Sequence, residues 1–224
     1  MAVFALSDLH LPLGIDKPMD VFGSAWENYV ERTRQNWNKT VSRDDVVIIN
    51  GDVSWAMYLN QAVRDFEYIA ALNGIKLISK GNHDYWWETL AKLKQFSYEH
   101  GFSDIHFLHN CAYAGEDFAV CAARGWISPS DREFRQVDEK IYNRELIRLQ
   151  MSLDAGKALG KEKLIAALHY PPDEAMSVLM DEYGVFACVF GHLHGKRAQE
   201  FIPRRNNQFL VSADYLGFAP RKIM

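Results

Sequence analysis

Five short groups of residues in this chain carry the side chains that bind divalent metals in proteins. The groups are Asp8-Leu9-His10, Gly51-Asp52, Gly81-Asn82-His83-Asp84, His169 and Gly191-His192-Leu193-His194. They combine carboxylate, imidazole and amide groups, which suit metals of intermediate softness. In an extended segment residues i and i+2 point the same way, so Asp8 and His10 are expected to converge on one point. One such group is often an ordinary polar turn, but five in one chain indicate a shared site.

Each of these groups follows a short apolar run that reads as a buried strand. The runs are residues 2–7, 46–50, 75–79, 163–168 and 185–190. Between the first two runs, apolar residues recur at helical spacing from Trp26 to Val41 and predict an amphipathic helix. In an open sheet of parallel strands, ligands bind at the carboxyl ends of the strands. The sequence therefore predicts an α/β fold with the polar groups along one edge.

The remaining segments complete this secondary-structure prediction. Further helices are expected over 62–70, 85–94, 142–153 and from a cap at Asp173 to about residue 183. The stretch 105–121 predicts short antiparallel strands, and 198–202 with 208–212 predict a closing hairpin. The prolines and glycines between residues 11 and 23, Pro18 among them, indicate a loop.

Composition limits the classes of function that this chain can have. Its 224 residues, 48% of them hydrophobic, can bury a full core, and we expect one domain over 1–224. A formal charge of -4 provides no basic footprint for long nucleic acid. The three isolated cysteines indicate buried thiols in a reducing compartment. Without a visible secretory signal or membrane span, a cytoplasmic location is expected.

Taken together, the five motifs resemble those of the calcineurin-like metallophosphoesterase superfamily, and the whole resembles its compact bacterial phosphohydrolases. The resemblance spans residues 8 to 194. It implies a four-layered α/β/β/α sandwich of two mixed sheets flanked by helices, and a site for two divalent metals. Manganese, iron and zinc are the expected metals. By resemblance, Asp52 bridges two ligand sets, which are Asp8, His10 and His194 for one metal and Asn82, His169 and His192 for the other.

The resemblance also implies a reaction. A hydroxide bridging the two metals would attack the phosphorus of a phosphomonoester or phosphodiester. His83 would face the substrate, where it stabilises the transferring phosphoryl group or protonates the leaving alkoxide. Asp84 is expected either to orient His83, as a second catalytic residue, or to cap the helix that follows.

Three further residues are candidates for substrate contact. Arg124 offers a bidentate fork for phosphate oxygens, and Trp126 offers a stacking face. Tyr170 adjoins His169 and could form a wall of the pocket. The alternative is structural: Arg124 would pair with a nearby acid, and the two aromatic rings would pack in the core.

The sequence departs from the serine/threonine protein phosphatases of the superfamily. Those enzymes carry Gly-Asp-x-x-Asp-Arg-Gly, whereas this chain has Gly-Asp-Val-Ser-Trp-Ala from Gly51 to Ala56. A small phosphorylated substrate is therefore expected, with no membrane partner and no long nucleic acid, while the oligomeric state stays open. The alternatives are a nuclease or nucleotide pyrophosphatase on the same site, or a binding scaffold without catalysis.

Overall fold

The computed structural model describes residues 1–17 and 19–224, so Pro18 of the predicted loop lies outside the described residues. The strands are β1 (Val3–Ala5), β2 (Val46–Asn50), β3 (Ile75–Ser79), β4 (Ile105–Phe107), β5 (Ala112–Ala114), β6 (Phe118–Ala123), β7 (Lys163–Leu168), β8 (Val185–Phe190), β9 (Gln208–Leu210) and β10 (Arg221–Lys222). The α-helices are α1 (Tyr29–Thr40), α2 (Val63–Ala70), α3 (Leu90–His100), α4 (Gln136–Ala158), α5 (Glu174–Glu182) and α6 (Gly195–Glu200). Short 3-10 helices occupy Asp20–Phe22, Ser24–Trp26 and Leu59–Gln61.

The strands form two five-stranded sheets, with orders β10-β1-β2-β3-β4 and β5-β6-β7-β8-β9. In the first sheet β1 to β4 run parallel, and β10 is an antiparallel edge. In the second sheet β6 to β9 run parallel, and β5 is an antiparallel edge. Since parallel strands end at the same side of a sheet, the residues that follow β1, β2 and β3 are brought together, as are those that follow β7 and β8.

Three apolar layers hold the sheets and helices together. In β2, Val46 and Ile48 face the layer between the sheets, while Val47 and Ile49 face the helices outside the first sheet. A third layer packs the second sheet against α4, α5 and α6. Burial of both strand faces explains why the strands appear in the sequence as nearly continuous apolar runs. The order of helices, sheet, sheet and helices confirms the predicted four-layered α/β/β/α sandwich of two mixed sheets.

The helix predicted over 85–94 is placed wrongly. The structure begins α3 at Leu90, and the Thr89 side chain caps it by accepting from the backbone of Lys92. Before that cap, the indole of Trp86 is buried and donates to the Asp84 carboxylate at 3.0 Å. This contact holds residues 85–89 in a turn, so the helix starts later than its apolar residues suggest.

The predicted closing hairpin is also wrong. Residues Gly195–Glu200 form a helix, and Gln208–Leu210 pairs parallel with β8. A parallel neighbour needs a crossover, which α6 and the segment after it provide. The antiparallel portion predicted over 105–121 is correct only for β5 with β6, because β4 extends the first sheet in parallel. In the part of the chain that the structure describes, no helix is long and apolar enough to cross a membrane.

Candidate metal centre and its surroundings

Unusual backbone conformations mark the strand ends where the proposed ligands lie. The φ angles are 58° at Asp8, 44° at His10, 52° at Asp52 and 71° at His192. Non-glycine residues rarely adopt this left-handed region, and each costs of order 1–3 kcal/mol. Such strain clusters at functional sites because the surrounding structure must impose it. Four of the seven proposed ligands therefore have a strained backbone that the surrounding structure must hold in place.

Asp8 and His10 converge, but not by the extended geometry that the sequence suggested. Both have left-handed backbone, and their loop is bonded to the loop after β2. The Asp8 N–H donates to the carbonyl of Gly51 at 3.0 Å, and the His10 N–H donates to the carbonyl of Asp52 at 2.9 Å. These two hydrogen bonds fix the loops against each other and turn their side chains to one point.

The glycines of the motifs allow the loops to approach this closely. A side chain at Gly51 would place its Cβ 2.6 Å from the Cα of Gly81 and 2.7 Å from the His169 ring. A Cβ at Gly81 would collide with the Asp52 carboxylate. A Cβ at Gly191 would collide with the Asp8 carboxylate. Each glycine is therefore required by close packing around a proposed ligand.

The first ligand group consists of Asp8, His10 and His194. One potential ligand atom from each residue lies within 4.8 Å of the others. The Nε2 of His194 is 3.4 Å from an Asp8 oxygen, while its Nδ1 lies 2.8 Å from an Asp214 oxygen. Asp214 therefore accepts the Nδ1 proton and leaves Nε2 free to bind a metal, an arrangement that fixes the imidazole tautomer. The backbone N–H of Gly195 donates to the other Asp214 oxygen at 3.1 Å.

The second ligand group gathers around Asn82. Its Oδ1 lies 2.7 Å from the Nε2 of His169 and 2.9 Å from the Nδ1 of His192. The Nδ1 of His169 donates to the carbonyl of Asn50 at 3.0 Å, so Nε2 is the ring nitrogen that would bind a metal in exchange for its proton. The potential ligand atoms of Asn82, His169 and His192 therefore face one another. All three groups would be neutral when bound to a metal ion.

Asp52 lies between the two groups. Its Oδ2 is 3.8 Å from the Nε2 of His10 and 3.4 Å from the Nε2 of His169. The other oxygen, Oδ1, accepts from the backbone N–H of His83 at 2.8 Å. Asp52 is nearly fully buried, with 1% exposure. This carboxylate therefore occupies the position from which one side chain can reach both groups.

The electrostatics of the centre fit a bound cation. Burial alone would raise the pKa of the Asp8 carboxyl, but contacts with His194 and His169 hold it well below its usual range. Burial also opposes the charge of Asp52, yet His169 lowers its pKa to about 2. In return the Asp52 carboxylate outweighs burial and raises the pKa of His169 to about 9. The buried carboxylates draw positive charge to this place, and divalent metals would supply it in exchange for protons.

The two predicted catalytic residues have different surroundings. The His83 ring is half-buried, 5.0 Å from the Trp55 ring and 5.8 Å from the His10 ring. Asp84 is fully buried, and its carboxylate accepts from the backbone N–H groups of Asp52, Val53 and Gly81 at 2.9, 2.8 and 2.7 Å. With the Trp86 indole as a fourth donor, these contacts make Asp84 a brace between the loops after β2 and β3.

A cavity of about 410 Å³ opens over the ligands. Its wall includes His10, Asp52, His83, His192 and His194, joined by Met19, Phe22, Ala25, Trp26, Trp55, Gly195 and Asp214. One side of the cavity is therefore polar and the other largely aromatic, a common composition for a small-molecule site.

The three predicted substrate contacts form a ladder beside this cavity. The Tyr170 ring lies 4.1 Å from the His192 ring and 5.2 Å from the Trp126 ring. The Arg124 guanidinium lies over Trp126 at 4.4 Å and 3.4 Å from the buried Glu145 carboxylate. Arg124 lines a neighbouring groove instead of the cavity over the ligands. Their role in substrate contact stays a prediction.

Comparison with protein families decides the family of this chain. The family described as calcineurin-like phosphoesterase matches residues 1–196. The chain belongs to the calcineurin-like phosphoesterase family. The activity of this family is metal-dependent hydrolysis of phosphoesters, in agreement with the acidic and imidazole clusters at the strand ends.

A solved structure shares the fold of this phosphoesterase. TT1561 from Thermus thermophilus matches with a TM-score of 0.59 at 13% identity, covering 98% of this chain and 96% of that chain. AQ665, a protein of unknown function from Aquifex aeolicus, matches with a TM-score of 0.49 at 14% identity, covering 99% and 95%. At 13% identity the likeness to TT1561 shows the fold alone. A search of curated protein sequences gives no significant match.

Sequence reasoning missed three residues that shape the site of this phosphoesterase. Asp214 lies beyond the matched range, in a segment without a metal-binding motif. Trp55 stacks on the His10 ring at 4.6 Å and 22°. The Lys17 ammonium group lies over the Trp55 ring, 3.2 Å from the ring centre, and Lys17 is outside the five motifs. Only Trp55, three residues after Asp52, offered a signal by its place in the sequence.

Proposed function

We propose that this protein cleaves a phosphomonoester or phosphodiester of a small phosphorylated molecule with two divalent metals, manganese, iron or zinc. The observation that carries this proposal is the position of Asp52. Its carboxylate lies between His10 of the first ligand group and His169 of the second, where two cations could share it. Asp8, His10 and His194 would hold one metal, and a second set, Asn82, His169 and His192, would hold the other.

The neutral Asn82 amide limits the negative charge of the centre, so an anionic phosphate can enter. When bound, the two metals would supply an activated water, bridging them as hydroxide, and would neutralise the phosphate oxygens. His83 extends from the loop after β3 into the cavity over the ligands. There its imidazole can donate a proton or a hydrogen bond to the leaving group, a contribution that is typically about 10²–10⁴-fold in rate.

Asp84 acts in this proposal as a positioning residue. Its carboxylate holds the backbone N–H groups of Asp52, the proposed bridging residue, and of Gly81, which precedes the proposed ligand Asn82. A brace of this kind lets one buried side chain fix the distance between a bridging carboxylate and a neutral amide ligand. This explains why an acid follows His83 without serving as its proton partner.

The proposal is tested by variants that lose metal binding and by a variant that keeps the metals but loses turnover. Asp52→Asn and His192→Ala are expected to abolish both hydrolysis of aryl phosphates and stoichiometric binding of two metals. His83→Ala should keep the metals and lose about 10²-fold or more in kcat on an ester with a poor leaving group. Metal content by elemental analysis and steady-state kinetics read the two effects. Wild-type turnover by His83→Ala on that ester would contradict the catalytic role.

The substrate type is tested on the same preparation. Aryl mono- and diesters, nucleotides and single-stranded DNA are compared with the metal-loaded protein. Hydrolysis of the aryl ester and of small phosphoesters supports the proposal, whereas a strong preference for DNA would favour the nuclease alternative. Failure to hydrolyse any of them with any of the three metals, in a protein that still binds metal, would favour the non-catalytic scaffold.

A further inference from the structure

A second groove lies beside the candidate metal centre, and four of the nine residues in its wall are permanent cations. It has a volume of about 670 Å³. Its wall consists of Lys80, Trp87, Glu88, Thr89, Leu90, His109, Arg124, Arg144 and Arg148. In a chain with a net charge of -4, this concentration of positive side chains in one depression calls for a ligand of opposite charge.

The acids near this groove do not balance its cations. Glu145 is fully buried beneath it and contacts Arg148 at 2.7 Å and Arg124 at 3.4 Å. Among residues 1–17 and 19–224, neither Lys80 nor Arg144 has a carboxylate oxygen within 4.0 Å of its charged nitrogen atoms. Two of the four permanent cations therefore share Glu145, and two have no carboxylate in contact within the described part of the chain. The acid in the wall, Glu88, pairs with Lys92 at 3.1 Å, so the groove keeps a local excess of positive charge.

One donor at the groove also lacks a partner. The Nε of Arg124 is buried and has no acceptor among the residues that the structure describes. A buried donor of a charged group that lacks an acceptor is unfavourable in the protein without a ligand. An anionic oxygen is the acceptor that a guanidinium binds best.

The groove is tied to the metal centre through the backbone. Lys80 directly precedes Gly81 and lies two positions before the amide ligand Asn82. The carbonyl of Arg124 accepts from the N–H groups of His169 and Tyr170 at 2.9 and 3.0 Å. One groove cation, Lys80, is therefore on the loop that carries Asn82, and another, Arg124, is hydrogen-bonded through its backbone to the loop that carries His169. The aromatic cavity wall, by contrast, lies on the side of His10.

We propose that this groove binds a second anionic group of the substrate, a phosphate or a carboxylate, while the metal centre holds the ester that is cleaved. The substrates are then phosphoesters with at least two anionic groups on one molecule. This inference rests on the proposed phosphoesterase function and narrows it. Lys80 and Arg144 supply the unpaired charges, and Arg124 contributes a third cation to the wall.

A matched set of substrates tests the groove. The metal-loaded protein is given alkanediol bisphosphates of increasing chain length and the corresponding monophosphates, and released phosphate is measured. At the chain length that spans centre and groove, kcat/KM for the bisphosphate should exceed that of the monophosphate about tenfold or more, well above the statistical advantage of two ester groups. A ratio at the statistical value for every length would overturn the proposal.

Variants of the groove cations test whether the preference for the bisphosphate arises in this groove. Arg144→Gln and Lys80→Gln should each lower the ratio of the two kcat/KM values about tenfold, since each removes one charged contact. Arg43→Gln is the matched control, because Arg43 is exposed before β2, at the opposite end of the sheet. It should leave the ratio unchanged. An equal ratio in all three variants would overturn the assignment to this groove.

Two further measurements distinguish failure of the proposed function from failure of the groove assignment. Calorimetry measures binding of the bisphosphate and the monophosphate to metal-loaded His83→Ala protein, in which turnover is slowed. Absence of any hydrolysis by the unaltered protein then counts against the proposed function alone. Equal affinities for the two compounds count against the groove alone. Adding free inorganic phosphate to the monophosphate reaction tests for an independent effector site. Activation through Arg144 under that condition would replace the substrate subsite with a regulatory one.

Discussion

At the scale of single residues, the metal centre depends on side chains that do not touch the metals. The clearest is Asp214, which accepts from the Nδ1 of His194 and from the backbone of Gly195. It determines which imidazole nitrogen faces Asp8. Partners of this kind orient a ligand and raise its basicity, so their loss weakens a metal site without removing a ligand.

Asp214→Asn tests this role. The amide is similar in size but can present its NH₂ group to the imidazole, so the Nε2 of His194 is no longer held free for the metal. We expect metal affinity to fall about 10–100-fold, with turnover recovering when metal is added in excess. Competition with a chelator measures the affinity. Asp44→Asn, in the exposed loop before β2, is the control, and equal affinity in both variants would contradict the role of Asp214.

At the scale of elements, the strand ends are brought together by glycines that no helix or strand pattern requires. The apolar runs allowed the strands to be predicted from the sequence, because both faces of each strand are buried. The left-handed backbone at Asp8 and His10 could not be predicted from the two-residue spacing. It depends on hydrogen bonds to the loop after β2, which lies about forty positions away in the chain.

The same limit explains the errors elsewhere in the chain. The apolar residues after Tyr85 fit a helix, but burial of the Trp86 indole against Asp84 delays the start of α3. The closing strand segments fit a hairpin, but β9 gains its partner by crossing to the far side of β8. Both outcomes follow from contacts with residues distant in sequence, and local patterns carry no information about them. The ligand motifs could be predicted because their residue types are themselves the signal.

Gly191→Ala tests how tightly the ends of β1 and β8 must meet. The added Cβ would collide with the Asp8 carboxylate and the Ser7 hydroxyl, so we expect about 1–3 kcal/mol of destabilisation and reduced metal binding. Urea unfolding and metal titration measure the two effects. Gly160→Ala is the control: its φ of 64° makes alanine costly by about 1 kcal/mol, but no atom lies near the new Cβ. Normal metal binding by Gly191→Ala would show that the loops can yield.

At the scale of the whole molecule, the metal centre joins the two sheets. Four of the seven proposed ligands, Asp8, His10, Asp52 and Asn82, follow strands of the first sheet. The other three, His169, His192 and His194, follow strands of the second. Hydrogen bonds also join the sheets at this end: the Asn50 side chain donates to the carbonyl of Leu168 at 2.5 Å, and the Ser7 N–H donates to the carbonyl of Val211 at 2.9 Å. Metals bound by residues of both sheets would therefore stabilise the fold in addition to their part in the reaction.

Removal of the metals is expected to lower thermal stability. A ligand that binds only the folded state at a thousand times its Kd adds about 4 kcal/mol, and each kcal/mol shifts Tm by roughly 2–4 °C in a chain of this size, so chelation should lower Tm by about 8–16 °C. Calorimetry with and without chelator measures the shift. Asp52→Asn should lose most of it, because Asp52 lies between the two groups, whereas Asp44→Asn should keep it. If the shift in Asp52→Asn equalled that of the unaltered protein, metal binding would not depend on the Asp52 carboxylate, and the two ligand groups would act as separate sites.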